Sequence, residues 1–193
     1  MTSKELIQEL LQLTRYNIEV VRSNFLKLKE SQLKWKKDNI SWSIEEVFAH
    51  LNAYGSYYNP TFLARIENTK HTSPKEIFVS SPLGKSAWKS MKLGNLKNVK
   101  RKMKSPKTYN PIFNEELITG NEVEKFNEQQ QLFIEILSKA DNVNLRRVKI
   151  PISISKIIRL RLGDALLFVA YHNERHLQQA TNILNHPKFP NDF

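Results

Sequence analysis

Tyr171-His172-Asn173-Glu174-Arg175-His176-Leu177-Gln178-Gln179 lies inside Leu162–Leu184, where Leu166, Leu167, Val169, Ala170, Leu177, Ala180, Ile183 and Leu184 recur at helical spacing. Residues four apart on a helix stand one above the other, with Cβ atoms about 5–6 Å apart. His172 and His176 therefore project from one face and can converge on one ion, with nitrogens about 2.0–2.1 Å from a zinc. The pattern is not that of the zinc proteases, which place Glu directly after the first His; here Asn173 stands there. Glu174 is about 200° around the helix from His172 and points away. Two histidines do not complete a site, so a third ligand must come from another element.

Working towards the N-terminus, the clearest helix start is Trp42-Ser43-Ile44-Glu45-Glu46-Val47-Phe48-Ala49-His50-Leu51. Ser43 and Glu46 have capping-box spacing, with Trp42 and Val47 placed as a hydrophobic staple across it. The apolar face continues through Phe48, Leu51 and Tyr54 to about Ile66, and Pro60 is expected to bend the helix. His50 shares its face with Glu46 and Tyr54, its i−4 and i+4 neighbours. Alone it reads as a core or surface histidine; paired with His172 and His176 it supplies the missing ligand.

The remaining elements follow from periodicity. Thr2 to about Lys29 is an amphipathic helix opened by Thr2-x-x-Glu5, and Ser31–Ile40 reads as a loop or frayed turn. Asn121-x-x-Glu124 has capping spacing and opens a third helix to about Ala140. Asn68–Ile118 holds Pro74, Pro82, Pro106 and Pro111 and no sustained period. It reads as a long connection with a short helix near Lys85–Leu93. Val148–Ile158 alternates Ile150, Ile152 and Ile154, but no partner strand is evident, so an extended link with a helical turn towards Leu160 is expected. The last helix starts near Gly163-Asp164 and stops before His186-Pro187. His71 and His186 fall in loops and receive no ligand role. The fold expected is all-α: one domain over 1–193, a four-helix bundle with a long crossover connection (68–118) between helices two and three.

The 193 residues carry a net charge of +11 and no cysteine. Disulfides and thiolate metal sites are excluded, so any metal is held by histidine, carboxylate or water. Lys4, Glu5 and Glu9 interrupt the apolar residues of Met1–Leu13, which argues against a signal peptide. No apolar run is long enough to span a membrane, so a cytoplasmic protein is expected. Lys85–Lys107 contains nine basic residues and no acidic one. A second basic patch spans Arg146–Arg161. Such segments are either solvated loops or phosphate-contacting surfaces.

The Trp42–Leu51 stretch, together with Leu162-Gly163-Asp164 and His172-x-x-Arg175-His176-Leu177-x-Gln179, resembles the DinB superfamily of DinB/YfiT-like metal-binding helical bundles. The resemblance covers both ends of the bundle and the order of its elements. It implies that His50, His172 and His176 form a three-histidine site for a divalent metal, with zinc first and nickel or manganese as alternatives. It also implies frequent homodimers, and relatives that are thiol-dependent transferases or isomerases or metal-dependent hydrolases. Three protein ligands with an open position are the pattern of a catalytic rather than a structural zinc.

Three functions follow as expectations. The first is a metal-dependent hydrolase or thiol (S-)transferase acting on a small molecule, with a low-molecular-weight thiol as cosubstrate. Glu46 would be its general base, or simply the helix cap, and Arg175 would meet an anionic substrate, or pair with an acidic neighbour. The second is nucleic-acid or acidic-partner binding through the basic loop 85–107, with Trp88 and Tyr109 available to stack on bases. The third is a bundle that dimerises and performs no chemistry.

Overall fold

In the computed structural model the described residues are 1–94 and 105–190. Lys97, Lys100, Arg101, Lys102 and Lys104, the centre of the basic stretch, lie outside them. The described chain forms six α-helices and one two-stranded sheet: α1 (Ser3–Asn24), α2 (Glu30–Leu33), α3 (Ile44–Glu67), α4 (Pro82–Met91), α5 (Glu122–Ala140), β1 (Lys149–Ile152), β2 (Ser155–Arg161) and α6 (Leu162–Leu184). The long helices α1, α3, α5 and α6 make the bundle. Both α1 and α3 pack against α5 and α6.

Two of the helix starts form as their sequences require. Thr2 and Glu5 exchange side-chain and backbone hydrogen bonds at the start of α1, and Ser43 and Glu46 do the same at α3. Each box satisfies amide donors that have no partner inside the helix. The start of α5 differs. Asn121 makes no capping hydrogen bond; the Glu122 carboxylate instead turns back to accept from the amides of Thr119 and Gly120. Helix α3 runs through Pro60 without interruption. Helix α1 stops five residues short of Lys29, and of the loop or turn expected after it Glu30–Leu33 forms a helical turn, with Gln32 Oε1 accepting from the Lys29 amide at 2.9 Å.

Two further expectations are corrected. The long connection does contain a short helix, but α4 begins at Pro82 because Ser81 caps it, its Oγ accepting from the Gly84 amide at 3.0 Å. Helix α4 packs on α6, and Asp164 of α6 accepts from both the amide and the hydroxyl of Ser81. The segment after α5 is a β-hairpin rather than an extended link with a helical turn. Ile150 pairs with Leu160 and Lys149 with Arg161, and the register shifts between Pro151 and Ile152. The missing partner strand is the chain's own continuation. Ile150 and Leu160 are buried side by side, while Ile154 at the tip is 65% exposed.

The core forms two apolar clusters. Phe25, Phe48, Leu51, Phe126 and Leu177 belong to one, and Leu10, Tyr54, Tyr58, Phe133 and Tyr171 to the other. Along α3 and α6 they meet at Leu51/Tyr54 and at Tyr171/Leu177, and the three histidines lie at that junction.

Candidate metal centre

The packing of α3 against α6 brings His50 to His172 and His176. One ring nitrogen from each lies within 4.8 Å of the others, and among the described residues this is the group of metal-ligating side chains that could hold an ion. His50 Nε2 and His172 Nε2 face each other at 3.2 Å. Two nitrogens bound at about 2.0–2.1 Å to a tetrahedral zinc stand about 3.3 Å apart, so this spacing suits a shared ion. The ring centroids of His176 lie 4.6 Å from both other imidazoles.

The second nitrogen of each ring decides which atom is left for a ligand. The Tyr109 carbonyl, arriving from the long connection, lies 2.5 Å from His50 Nδ1. A carbonyl only accepts, so Nδ1 carries the proton and Nε2 keeps its lone pair. Gln179 Oε1, one turn along α6, lies 3.0 Å from His176 Nδ1 and sets the same tautomer. His172 Nδ1 is buried with no hydrogen-bond partner among the described residues.

The electrostatics keep all three rings neutral. Burial pushes His50 down to about 4, with the Tyr109 carbonyl opposing. His172 lies well below its ordinary value, first through burial and then through His176, His50 and Arg175. His176 shifts the same way, through burial first and then His50 and Arg175. A neutral imidazole is the ligating form, so the environment that disfavours protons favours a metal. The donor set fits a borderline cation such as zinc.

Aromatic rings enclose the group. Tyr54 lies 4.9 Å from His50 and 4.4 Å from His172, as its i+4 relation to His50 foretold. Trp42 stands 4.9 Å from His50 and 6.1 Å from His176. The sequence reading gave Trp42 only a staple's role; its position directly before the Ser43 cap also carries it over the imidazoles. The Tyr109 carbonyl went unforeseen, because a backbone group 59 residues from His50 leaves no mark in side-chain pattern.

The remaining site candidates fall as follows. Glu46 uses both carboxylate oxygens, one accepting from the Ser43 amide at 2.8 Å and the other pairing with Lys36 Nζ at 2.6 Å. Arg175 is buried on α6 and close enough to act on His172 and His176. Trp88 and Tyr109, candidates for base stacking, are engaged against the bundle. Trp88 Nε1 donates to Ser80 Oγ, and the Tyr109 ring lies 4.6 Å from Tyr54.

A family model described as the DinB superfamily matches residues 13–180, a span that contains all three histidines. No curated protein and no solved structure matches the chain.

Proposed function

The chain belongs to the DinB superfamily, and from that premise we propose that His50, His172 and His176 hold one divalent metal ion, zinc first, at the centre of a small-molecule hydrolase or thiol (S-)transferase. The observation that carries the proposal is the trio of neutral imidazoles, two of them with their free nitrogen fixed by the Tyr109 carbonyl and Gln179. Bound there, the ion would supply Lewis acidity, lowering the pKa of a water or thiol or polarising a leaving group.

The chain's own residues would do the rest. Tyr54 and Trp42 wall the site and restrict water around the reacting atoms. Arg175, whose charge already acts on two of the imidazoles, is proposed to orient an anionic substrate. Glu46 is proposed as general base, a role in which it must exchange its bond to Lys36 for the substrate's proton while keeping the Ser43 amide. A low-molecular-weight thiol is the favoured cosubstrate, since a chain without cysteine must take its sulfur nucleophile from outside. A homodimer completes the proposal on family grounds; no described helix is long and apolar enough to cross a membrane.

The test is to assay zinc- and nickel-loaded protein against two panels. One pairs low-molecular-weight thiols with electrophilic acceptors, and the other holds esters and amides. Turnover that disappears in His50→Ala and in chelated wild type supports the reading. Turnover that survives both would assign the chemistry elsewhere.

A further inference from the structure

At the other end of α3 the chain builds a second concavity. Asn144 accepts from the amides of Arg146 and Arg147 through Oδ1, at 3.1 and 3.2 Å, and donates its own amide to the His71 carbonyl at 2.9 Å. This turn fastens the residues after α5 against those after α3. The result is a cleft of about 520 Å3 whose lining includes Arg65, His71, Arg147 and Lys149, with Ala64 and Val148 as apolar wall. Among the described residues no carboxylate lines it. Glu67, the nearest acidic residue on α3, is turned to Lys139 at 2.6 Å. The Ala64 carbonyl, near the negative end of α3, is taken by the amide and side chain of Asn68.

A separate observation comes from the hairpin. Lys149 and Arg161 are directly paired across β1 and β2, where like charges destabilise a sheet. Arg161 is drawn off to the Val79 carbonyl, and Lys149 remains in the cleft. Though the residue is exposed, its ammonium is held below its usual range by partial desolvation and by Arg161 and Arg147, against the opposing pull of Asp164. That carboxylate is itself buried and committed to Ser81. The fold thus tolerates repulsion here that a single neutral side chain would relieve.

We propose that this cleft binds a phosphate-bearing small molecule, independently of the histidine site. Arg65, Arg147 and Lys149 line one cleft with no carboxylate among its described lining residues, which suits a multiply charged phosphate or pyrophosphate better than a single carboxylate. The volume lies within the range of small-molecule sites, and the Ala64–Val148 wall can take the organic part of the ligand. His50 and Arg65 are fifteen residues apart on α3, about 22 Å along the axis, so one small ligand does not reach both.

The experiment is calorimetric titration of metal-free, full-length protein with inorganic pyrophosphate at low ionic strength, with a short single-stranded oligonucleotide as a parallel arm. Wild type and His172→Ala should bind pyrophosphate saturably, at one site and with equal affinity. The Arg147→Gln/Lys149→Gln double variant should bind at least about tenfold more weakly. Both residues are exposed, so the variant should fold, which circular dichroism will check. Absence of saturable pyrophosphate binding, equal affinity in the double variant, or binding of the oligonucleotide alone would each overturn the proposal.

Discussion

Gln179 touches one atom of the candidate centre, and that contact defines what it does: its amide oxygen accepts a hydrogen bond from His176 Nδ1–H and leaves Nε2 for a ligand. Groups that hold a ligating histidine in its tautomer typically contribute 10–100-fold in metal affinity. Gln179→Ala should therefore weaken zinc binding by about that factor while leaving the bundle folded, measured by competition with a chromophoric chelator. Unchanged affinity would reduce Gln179 to a helix-flank residue. Glu46 calls for two substitutions, because it holds a helix cap as well as lying one turn before His50. Glu46→Gln keeps an acceptor for the Ser43 amide and loses the base. If Glu46 is the base, turnover should fall about 10²-fold or more with little change in urea midpoint. Glu46→Ala should add a stability loss of about 1 kcal/mol from the opened cap. Equal turnover in Glu46→Gln and wild type would leave the carboxylate a purely structural part of α3.

At the scale of elements, the close approach of α6 to the long connection is the most sensitive junction. A Cβ on Gly163 would meet ring carbons of Phe78 at 2.5 and 2.7 Å, and Phe78 is buried against the core. Gly163→Ala should cost about 1–3 kcal/mol through overpacking, read from the denaturant midpoint. A neutral result would show that the connection can shift away from α6. The same junction illustrates what the sequence could reveal. Helices α1 and α3 announce themselves, because a capping box is a local four-residue pattern and both boxes form. His172 and His176 are legible for the same reason, being one turn apart on one helix. The hairpin was not legible: a strand is defined by its partner, and the alternation of Ile150, Ile152 and Ile154 says nothing about the turn that folds Ser155–Arg161 back on it. The capping spacing of Asn121 and Glu124 misled for a related reason: Asn121 Oδ1 accepts from the Thr119 hydroxyl instead of capping α5, and the Glu122 carboxylate accepts from the amides of Thr119 and Gly120. The Tyr109 carbonyl belongs to this class too. It reaches His50 only through the path of the whole connection.

For the whole molecule, the centre matters because its ligands come from two helices that share no local sequence. An ion held by His50 on α3 and by His172 and His176 on α6 would clamp the bundle across its middle. Any ion that binds the folded form and not the unfolded one stabilises the fold, by about 2.7 kcal/mol at a free concentration one hundred times Kd. Zinc should accordingly raise the melting temperature of wild type, and a chelator should reverse the rise; a zinc-insensitive transition would speak against a shared site. The most direct measurement is the metal content of untagged protein purified without chelator, by plasma mass spectrometry, for wild type and His172→Ala. The account predicts about one equivalent of a divalent transition metal per chain in wild type and its loss in the variant. Less than about one-tenth of an equivalent in wild type, persisting after dialysis against zinc or nickel, would contradict it.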